Sequence, residues 1–209
     1  MIQDELLVKT ISALQNIYSW SQYNDNKYDI FRLKDILDSL STGQWESKSW
    51  AVNELAKKVE KHHKHCSIIG GWYGLFSHLM IERGITLKIR NVDLDETCIS
   101  IGEMLRVHEG YTFAHRDGLS EFEHDGDDRI FVCTACEHID NDDLVAALEK
   151  KHPNALVLLQ SNDYYDIDSH INCKDSLQDF VDSLPLTNIL YKGEFPYKDE
   201  YTRFMVIGK

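Results

Sequence analysis

The stretch that decides the fold is Ser67-Ile68-Ile69-Gly70-Gly71-Trp72-Tyr73-Gly74, an apolar run that ends in glycines. A helical pattern follows at Gly74–Arg83, and this succession is typical of the first strand and helix of an α/β sheet. Glycines at such a turn let the backbone approach a ligand, although the same turn occurs in many proteins that bind nothing there. The turn is a candidate ligand site, with simple chain reversal as the alternative.

An acidic residue after the second strand strengthens the ligand interpretation. Residues Leu87–Val92 have the pattern of a strand, and Asp93 follows directly. An acid about twenty residues after a glycine turn accepts hydrogen bonds from ribose hydroxyls in nucleotide-binding sheets. We expect Asp93 to bind the ribose of a nucleoside-bearing cofactor, whereas Asp95 suits the N-cap of the next helix.

Length, charge and cysteine content exclude several classes of protein. The 209 residues suffice for one large core, and no Pro/Gly/Ser-rich linker divides them. A formal net charge of -13 makes nucleic acid an unlikely partner. Five cysteines, an odd number, favour a reduced, cytoplasmic compartment. We expect no signal peptide and no membrane association, since no run approaches roughly 20 apolar residues.

The rest of the chain alternates short apolar runs with helical patterns, which predicts a parallel sheet covered on both faces. Apolar positions at helical spacing between Ile2 and Tyr18, and less regularly around Trp50–Val59, predict helices before the first strand. Two strand-like runs, Asn188–Phe195 and Thr202–Ile207, predict a closing hairpin. The intervening strands and helices are predicted at Glu96–Val107, Tyr111–Ala114, Arg129–Thr134, Asp142–Lys150 and Ala155–Gln160.

Together these features resemble a class I, Rossmann-like S-adenosylmethionine-dependent methyltransferase. The resemblance covers residues 65–209 and implies an α/β fold, with a seven-stranded, mostly parallel sheet and a C-terminal antiparallel hairpin. It implies that the last strand, Arg203–Ile207, lies antiparallel between its neighbours. Residues 1–64 would form an N-terminal helical extension or lid. The chain departs from the family at Ile68, where an acid is usual, and at Trp72, where a glycine is usual.

The resemblance also implies which residues bind S-adenosylmethionine. The glycine turn would pack against the methionine part, Asp93 would bind the ribose, and Asp117 would bind the adenine amino group. The residues expected at the cofactor are Gly70, Gly71, Trp72, Tyr73, Gly74, Asp93, Leu94, Asp117 and Cys136.

Chemistry is expected after the fourth strand, within Cys133–Ile139. The resemblance places this segment beside the methyl group and the acceptor, where Glu137 or His138 would hold or deprotonate a nucleophile. The structural alternative has His138 packed below the sheet and Glu137 capping the next helix. A metal is not expected, because there is no second C-x-x-C pair and strand alternation directs Cys133 and Cys136 to opposite faces.

Acceptor-binding residues are expected in two further places. The segment Leu40–Trp50 is rich in aromatic and polar groups, and its Gln44 and Lys48 are available to a carboxylate if the extension reaches over the cofactor. The alternative is that the tryptophans of this segment simply pack the helices onto the sheet. His170 lies near the predicted carboxyl edge, whereas the histidines at 62, 63 and 65 are expected on a solvated face.

The predicted function is methyl transfer from S-adenosylmethionine to a small polar molecule or a protein side chain. The alternative is a methyltransferase-like binding or regulatory protein without catalysis, an idea motivated by Ile68. The sequence does not determine the acceptor or the oligomeric state.

Overall fold

A mixed sheet organises the part of the chain that the computed structural model describes, residues 30–198 and 200–209. The helical pattern predicted between Ile2 and Tyr18 lies outside these residues. The strands are β1 (His65–Ile69), β2 (Lys88–Asp93), β3 (Tyr111–His115), β4 (Arg129–Cys133), β5 (Leu156–Asn162), β6 (Ile189–Tyr197) and β7 (Tyr201–Gly208). Their order across the sheet is β3-β2-β1-β4-β5-β7-β6.

The strand pairing confirms the predicted topology. Strands β1 to β5 pair in parallel, whereas β7 lies antiparallel between β5 and β6. The chain winds outward from β1 through β2 to β3, then returns to β4 on the other side of β1. At such a switch point the connections leave in opposite directions, so a crevice opens at the carboxyl ends of β1 and β4.

Helices cover both faces of the sheet. Two helix N-termini are capped by aspartates whose side chains each accept two backbone N–H groups. Asp95 caps the helix Glu96–Leu105, and Asp140 caps the helix Asn141–Glu149. The cap at Asp95 has the predicted form, and the cap at Asp140 leaves no capping role there for Glu137. The helices are α1 (Ile30–Ser39), α2 (Thr42–Ala56), α3 (Leu75–Glu82), α4 (Glu96–Leu105), α5 (Asn141–Glu149) and α6 (Leu177–Asp182), with 3₁₀ turns at Gly118–Glu123 and Cys136–His138.

Alternating side chains of the buried strands fill two core layers, because successive residues of a strand point to opposite faces. The layer under α2 and α3 contains Ile68, Val132 and Leu158. The layer under α5 and α6 contains Ile69, Phe131 and Val157. Burial on both faces explains why these strands are continuous apolar runs in the sequence.

Helix α2 belongs to the first of these layers. Its Ala51, Val52 and Leu55 are buried in the same cluster as the strands. The indole N–H of Trp50 donates to the Tyr191 hydroxyl of β6 at 3.2 Å. The division of the chain at residue 64 stays a prediction, but this helix packs as part of the core.

One of the three histidines shortly before or at the start of β1, expected on a solvated face, is buried instead. Helix α2 ends at Ala56, and the chain then turns back onto the protein. His63 is only 3% exposed, and its Nδ1 accepts the backbone N–H of Glu60 at 2.8 Å. The predicted solvated face is therefore wrong for His63. Separately, none of the helices in the described ranges is long and apolar enough to span a bilayer.

Candidate active site

A cavity of about 650 Å³ opens at the crevice between β1 and β4. Its walls come from the ends of β1, β2 and β4, from the segments that follow β1 to β5, from the start of α5, from α2 and from β7. The predicted site residues that line it are Gln44, Lys48, Gly70, Trp72, Asp93, Leu94, Asp117, Glu137 and His138. The predicted residues that do not line it are Gly71, Tyr73, Gly74, Cys136 and His170.

The turn after β1 has a left-handed backbone at three positions. The φ angles are 62° at Gly70, 47° at Trp72 and 84° at Gly74. This region costs a residue with a Cβ roughly 1–2 kcal/mol, so glycine is favoured there. Trp72 nevertheless adopts it. Its N–H donates to Asp93 Oδ2 at 3.1 Å, and its ring stacks on Tyr73 with centroids 5.4 Å apart.

The glycines of this turn have different structural roles. A Cβ on Gly70 would meet only Ala135 Cβ, at 3.8 Å, so the exposed backbone of Gly70 faces open space in the cavity. A Cβ on Gly71 would lie 2.7 Å from Asn91 Cβ, and one on Gly74 would lie 2.7 Å from Phe113 Cζ. Gly71 and Gly74 are needed for close packing against β2 and β3, whereas Gly70 presents backbone to the cavity.

Asp93 ties the end of β2 to this turn. Its Oδ2 accepts the Trp72 N–H, and its Oδ1 accepts the Asp95 N–H at 3.0 Å. The side chain is half-buried and lines the cavity. Because each carboxylate oxygen has two lone-pair sites, both oxygens keep capacity for a ligand hydroxyl.

Leu94 and Asp117 lie on the rim of the cavity. Leu94 is 69% exposed, which is unusual for a large apolar side chain. Asp117 is also exposed, and its Oδ1 accepts the Leu119 N–H at 2.9 Å. The rim therefore combines apolar surface with a carboxylate, a pairing common in small-molecule sites.

Glu137 is a buried acid on the opposite wall. It is 3% exposed, and its Oε1 accepts Asn162 Nδ2 at 2.7 Å and lies 3.6 Å from Arg203 Nη1. Its Oε2 is buried and has no hydrogen-bond partner among the residues described. A buried, unpaired carboxylate oxygen is costly, so this atom is available to a ligand.

His138 is exposed beside Glu137 and does not pack below the sheet. Its ring lies edge-on to that of His170, with centroids 4.6 Å apart. His170 comes from the loop after β5 and reaches the site through His138, not through the cavity wall.

Lys48 and Gln44 face the cavity from α2. Lys48 Nζ donates to Gln44 Oε1, one helical turn away. Desolvation lowers the pKa of Lys48 to about 7, with a smaller decrease from Arg203 that Glu137 partly opposes. Trp45 and Trp50 instead pack against the core, so the packing interpretation holds for the tryptophans while the two polar side chains lie at the cavity.

Comparison with solved structures identifies this architecture. Magnesium protoporphyrin IX methyltransferase from Synechocystis PCC 6803, with bound S-adenosylhomocysteine, aligns over 95% of this chain and 94% of its own, at 13% identity and a TM-score of 0.57. Geranyl diphosphate methyltransferase, in complex with GPP and sinefungin, aligns over 79% of this chain and 78% of its own, at 9% identity and a TM-score of 0.60.

The chain has the fold of the class I methyltransferases. A third similar structure is 1,6-didemethyltoxoflavin-N1-methyltransferase from Burkholderia thailandensis, with bound 1,6-didemethyltoxoflavin and S-adenosylhomocysteine, at 13% identity and a TM-score of 0.53. It covers 84% of this chain and 86% of its own. No protein-family model and no curated protein matches the sequence.

Within the methyltransferase fold, Cys136 lies behind the cavity. β4 ends at Cys133, and the following 3₁₀ turn returns Cys136 to the same buried cluster, where its Sγ donates to the Cys133 carbonyl at 3.7 Å. The expectation that these cysteines point to opposite faces is therefore wrong, because strand alternation stops where the strand stops. Burial, and then the neighbouring Cys133, raises the pKa of the Cys136 thiol well above its ordinary value.

Sequence reasoning missed several cavity residues of the methyltransferase fold. Arg203 is 6% exposed and donates to the Thr134 carbonyl at 3.3 Å. It was detectable as a lone cation at the start of an apolar strand, since an antiparallel strand begins where parallel strands end. Asp140 and Asp143 also line the cavity, but their positions at a helix start indicate only capping.

Proposed function

We propose that the protein transfers a methyl group from S-adenosylmethionine to a small polar molecule or a protein side chain. The observation that carries the proposal is that buried Glu137, whose Oε2 has no hydrogen-bond partner in the described part of the chain, lines the same cavity as Gly70 and Asp93. The cavity therefore combines a surface for a nucleoside with an acid for an acceptor. The cofactor products and the analogue bound in the similar structures support this choice of cofactor.

The residues present fit S-adenosylmethionine in chemistry and in space. A volume of about 650 Å³ lies within the roughly 300–1,000 Å³ of small-molecule sites. The open side of Gly70 admits the methionine part against the backbone, and Asp93 keeps acceptor capacity for ribose hydroxyls. Leu94 and Asp117 would contact the adenine.

S-adenosylmethionine supplies a methyl group on a sulfonium, which is already a good leaving group. The contribution of this chain would therefore be alignment of the acceptor with the methyl carbon. A hydroxyl or amine of the acceptor would donate to Glu137 Oε2, and Glu137 would take its proton as the new bond forms. Asn162 and Arg203 hold the other oxygen, so the orientation of the carboxylate is fixed.

Other residues that line the cavity define the acceptor further. Lys48 and Gln44 would bind a carboxylate or another polar group of the acceptor. The wall formed by Ile139 and Ile171 is apolar and would contact the remainder of the acceptor. These features favour a polar acceptor over a purely hydrocarbon one.

We further propose that the protein works in the cytoplasm. All five cysteines are free thiols, four of them buried, which suits a reducing compartment. The formal net charge of -13 supports a partner other than nucleic acid.

A thermal shift with three ligands tests the cofactor. At one hundred times its dissociation constant, a ligand adds about 2.7 kcal/mol to the stability of the folded state. For a chain of this size that corresponds to an increase of about 5–10 °C in Tm. We expect this increase with S-adenosylmethionine and S-adenosylhomocysteine and none with NAD. A shift with NAD alone would contradict the proposal.

Transfer of radiolabelled methyl groups to cell-extract fractions separates the enzyme from a binding protein. Labelling of a small-molecule or protein fraction is the expected result. Cofactor binding without labelling of any fraction would favour the regulatory alternative.

A further inference from the structure

Three side chains with metal-ligating atoms meet beside the cavity. Glu137 and His138 come from the 3₁₀ turn after β4, and His170 comes from the loop after β5. One ligand atom from each lies within 4.8 Å of the others. With bonds of about 2.0–2.2 Å, two atoms that share one ion lie at most about 4.4 Å apart, so these atoms are close to the spacing of one ion.

Hydrogen bonds at the two histidines fix which ring nitrogen is free. Nδ1 of His138 lies 3.0 Å from the Ser169 carbonyl, and Nδ1 of His170 lies 2.6 Å from the Tyr164 carbonyl. Because a carbonyl only accepts, each Nδ1 carries the proton and donates it, which leaves the Nε2 lone pair of the neutral ring free. Histidines that bind metals are held in this way, by a second hydrogen bond to a carbonyl or carboxylate.

Glu137 provides the second, independent observation. The side chain is 3% exposed, yet its Oε2 has no hydrogen-bond partner in the described part of the chain. Its Oε1 is bound by Asn162, and the Asn162 Oδ1 is itself held by the Tyr164 N–H at 2.9 Å. One carboxylate oxygen is anchored and the other is left bare, as for a ligating carboxylate.

We propose that Glu137, His138 and His170 bind a divalent transition-metal ion at the acceptor end of the cavity. Two imidazoles and one carboxylate suit Zn²⁺ and its neighbours in the series, and three protein ligands leave positions open. The positive charge of Arg203, close to Glu137, repels a bound cation. The negative charges of Asp140 and Asp143, which line the same cavity, attract one.

The role of the ion rests on the proposed function, whereas its binding does not. With the ion bound, Glu137 Oε2 would be a metal ligand and not the base. An acceptor hydroxyl in an open coordination position would have its pKa lowered by the ion and would lose its proton to water, which favours the nucleophilic oxyanion. The class of acceptor that this site selects is therefore one with a metal-binding oxygen, such as a hydroxyl next to a carboxylate or a second hydroxyl.

Titration of the full chain with Zn²⁺, after treatment with a chelator, tests the site. We expect one ion per chain, and at least about tenfold weaker binding in His138→Ala and in His170→Ala. The matched control is His108→Ala, which removes a histidine from a second group, His78, Glu82 and His108, away from the cavity. Substitution of Co²⁺ would add a visible absorption band that the two test variants lose.

Absence of stoichiometric binding, or loss of binding only in His108→Ala, would overturn the proposal. Melting temperature and S-adenosylhomocysteine affinity, measured on the same variants, show whether the fold and the cofactor cavity are intact. Methyl transfer that persists in excess chelator would contradict the role of the ion while leaving the proposed function in place.

Discussion

At the scale of single residues, Glu137 is the side chain for which a functional role and a structural role are most directly compared. Its capping role is excluded because Asp140 caps α5. Burial of a carboxylate with a bare oxygen lowers stability, and such groups persist where a ligand uses them. These observations support the proposed chemical role of Glu137.

Glu137→Gln should lower turnover by roughly 10²-fold or more, the usual size of a general-base contribution. The amide keeps the shape of the side chain, so affinity for S-adenosylhomocysteine should remain within about twofold. Turnover, cofactor affinity and Tm measured on one preparation check this. Full activity in this variant would remove Glu137 from the mechanism.

Gly70→Ala and Gly74→Ala form a matched pair. Both place a Cβ on left-handed backbone, at a cost of roughly 1–2 kcal/mol. The Gly74 variant adds a contact of 2.7 Å with Phe113 and should be the less stable of the two. The Gly70 variant should lose more cofactor affinity, because its methyl group enters the cavity. Urea unfolding compares the stability of the two variants, and ligand titration compares their cofactor affinity. A Gly74 variant that is the more stable, or a Gly70 variant that binds the cofactor more tightly, would contradict the assigned roles.

At the scale of secondary-structure elements, Asp95 joins α1 to the start of α4. It caps α4, and its Oδ2 lies 2.6 Å from Arg32 Nη2 of α1. Burial by itself raises the pKa of Asp95. The Arg32 guanidinium and the backbone N–H groups of Cys98 and Thr97 lower it by a larger amount, so the net pKa is below its ordinary value. One side chain therefore stabilises a helix end and a contact between helices.

Asp95→Ala should lower the free energy of unfolding at pH 7 by about 1–2 kcal/mol, from the lost cap and ion pair. A carboxyl whose folded pKa is depressed stabilises the protein above its unfolded pKa and loses this effect as the pH falls through the folded value. The difference between wild type and variant should thus shrink below about pH 4. Urea unfolding at pH 7 and pH 3 measures it, and a constant difference would contradict the pKa assignment.

At the scale of the whole molecule, the sheet and most of the residues that line the cavity follow from the sequence, whereas some contacts within the site do not. Strands buried on both faces are continuous apolar runs, so β1, β4 and β5 were located to within about two residues. One wall of the cavity contains Gly70 and Asp93, which lie at or directly after the ends of β1 and β2, so their positions follow from the strand pattern.

The opposite wall, around Glu137, combines segments that are distant in sequence. Arg203 reaches it because β7 is inserted antiparallel beside β5, and His170 reaches it because the loop after β5 folds back over the 3₁₀ turn. The sequence places His170 near the carboxyl edge and shows Arg203 as a lone cation in an apolar strand, but neither pattern specifies the contacts that these side chains make. The same applies to Cys136, whose direction depends on the residue at which β4 ends.

Whole-molecule stability should depend on α2, although sequence analysis assigned it to a separate extension. Leu55 is fully buried in the cluster that includes β1 and β4. Leu55→Ala should lower the free energy of unfolding by about 2–5 kcal/mol, in one cooperative transition seen by both fluorescence and circular dichroism. Two separate transitions, or a cost under about 1 kcal/mol, would favour an independent lid.

The central claim is that the cavity between β1 and β4 binds the nucleoside of S-adenosylmethionine through Asp93. Isothermal titration of the full chain with S-adenosylhomocysteine tests it most directly, on wild type, Asp93→Ala and the exposed control Asp127→Ala. We predict one site per chain, affinity at least about tenfold weaker in Asp93→Ala (about 1.4 kcal/mol), and affinity within about twofold of wild type in Asp127→Ala. No binding to the wild type, or an Asp93→Ala affinity within about twofold of it, would contradict the claim.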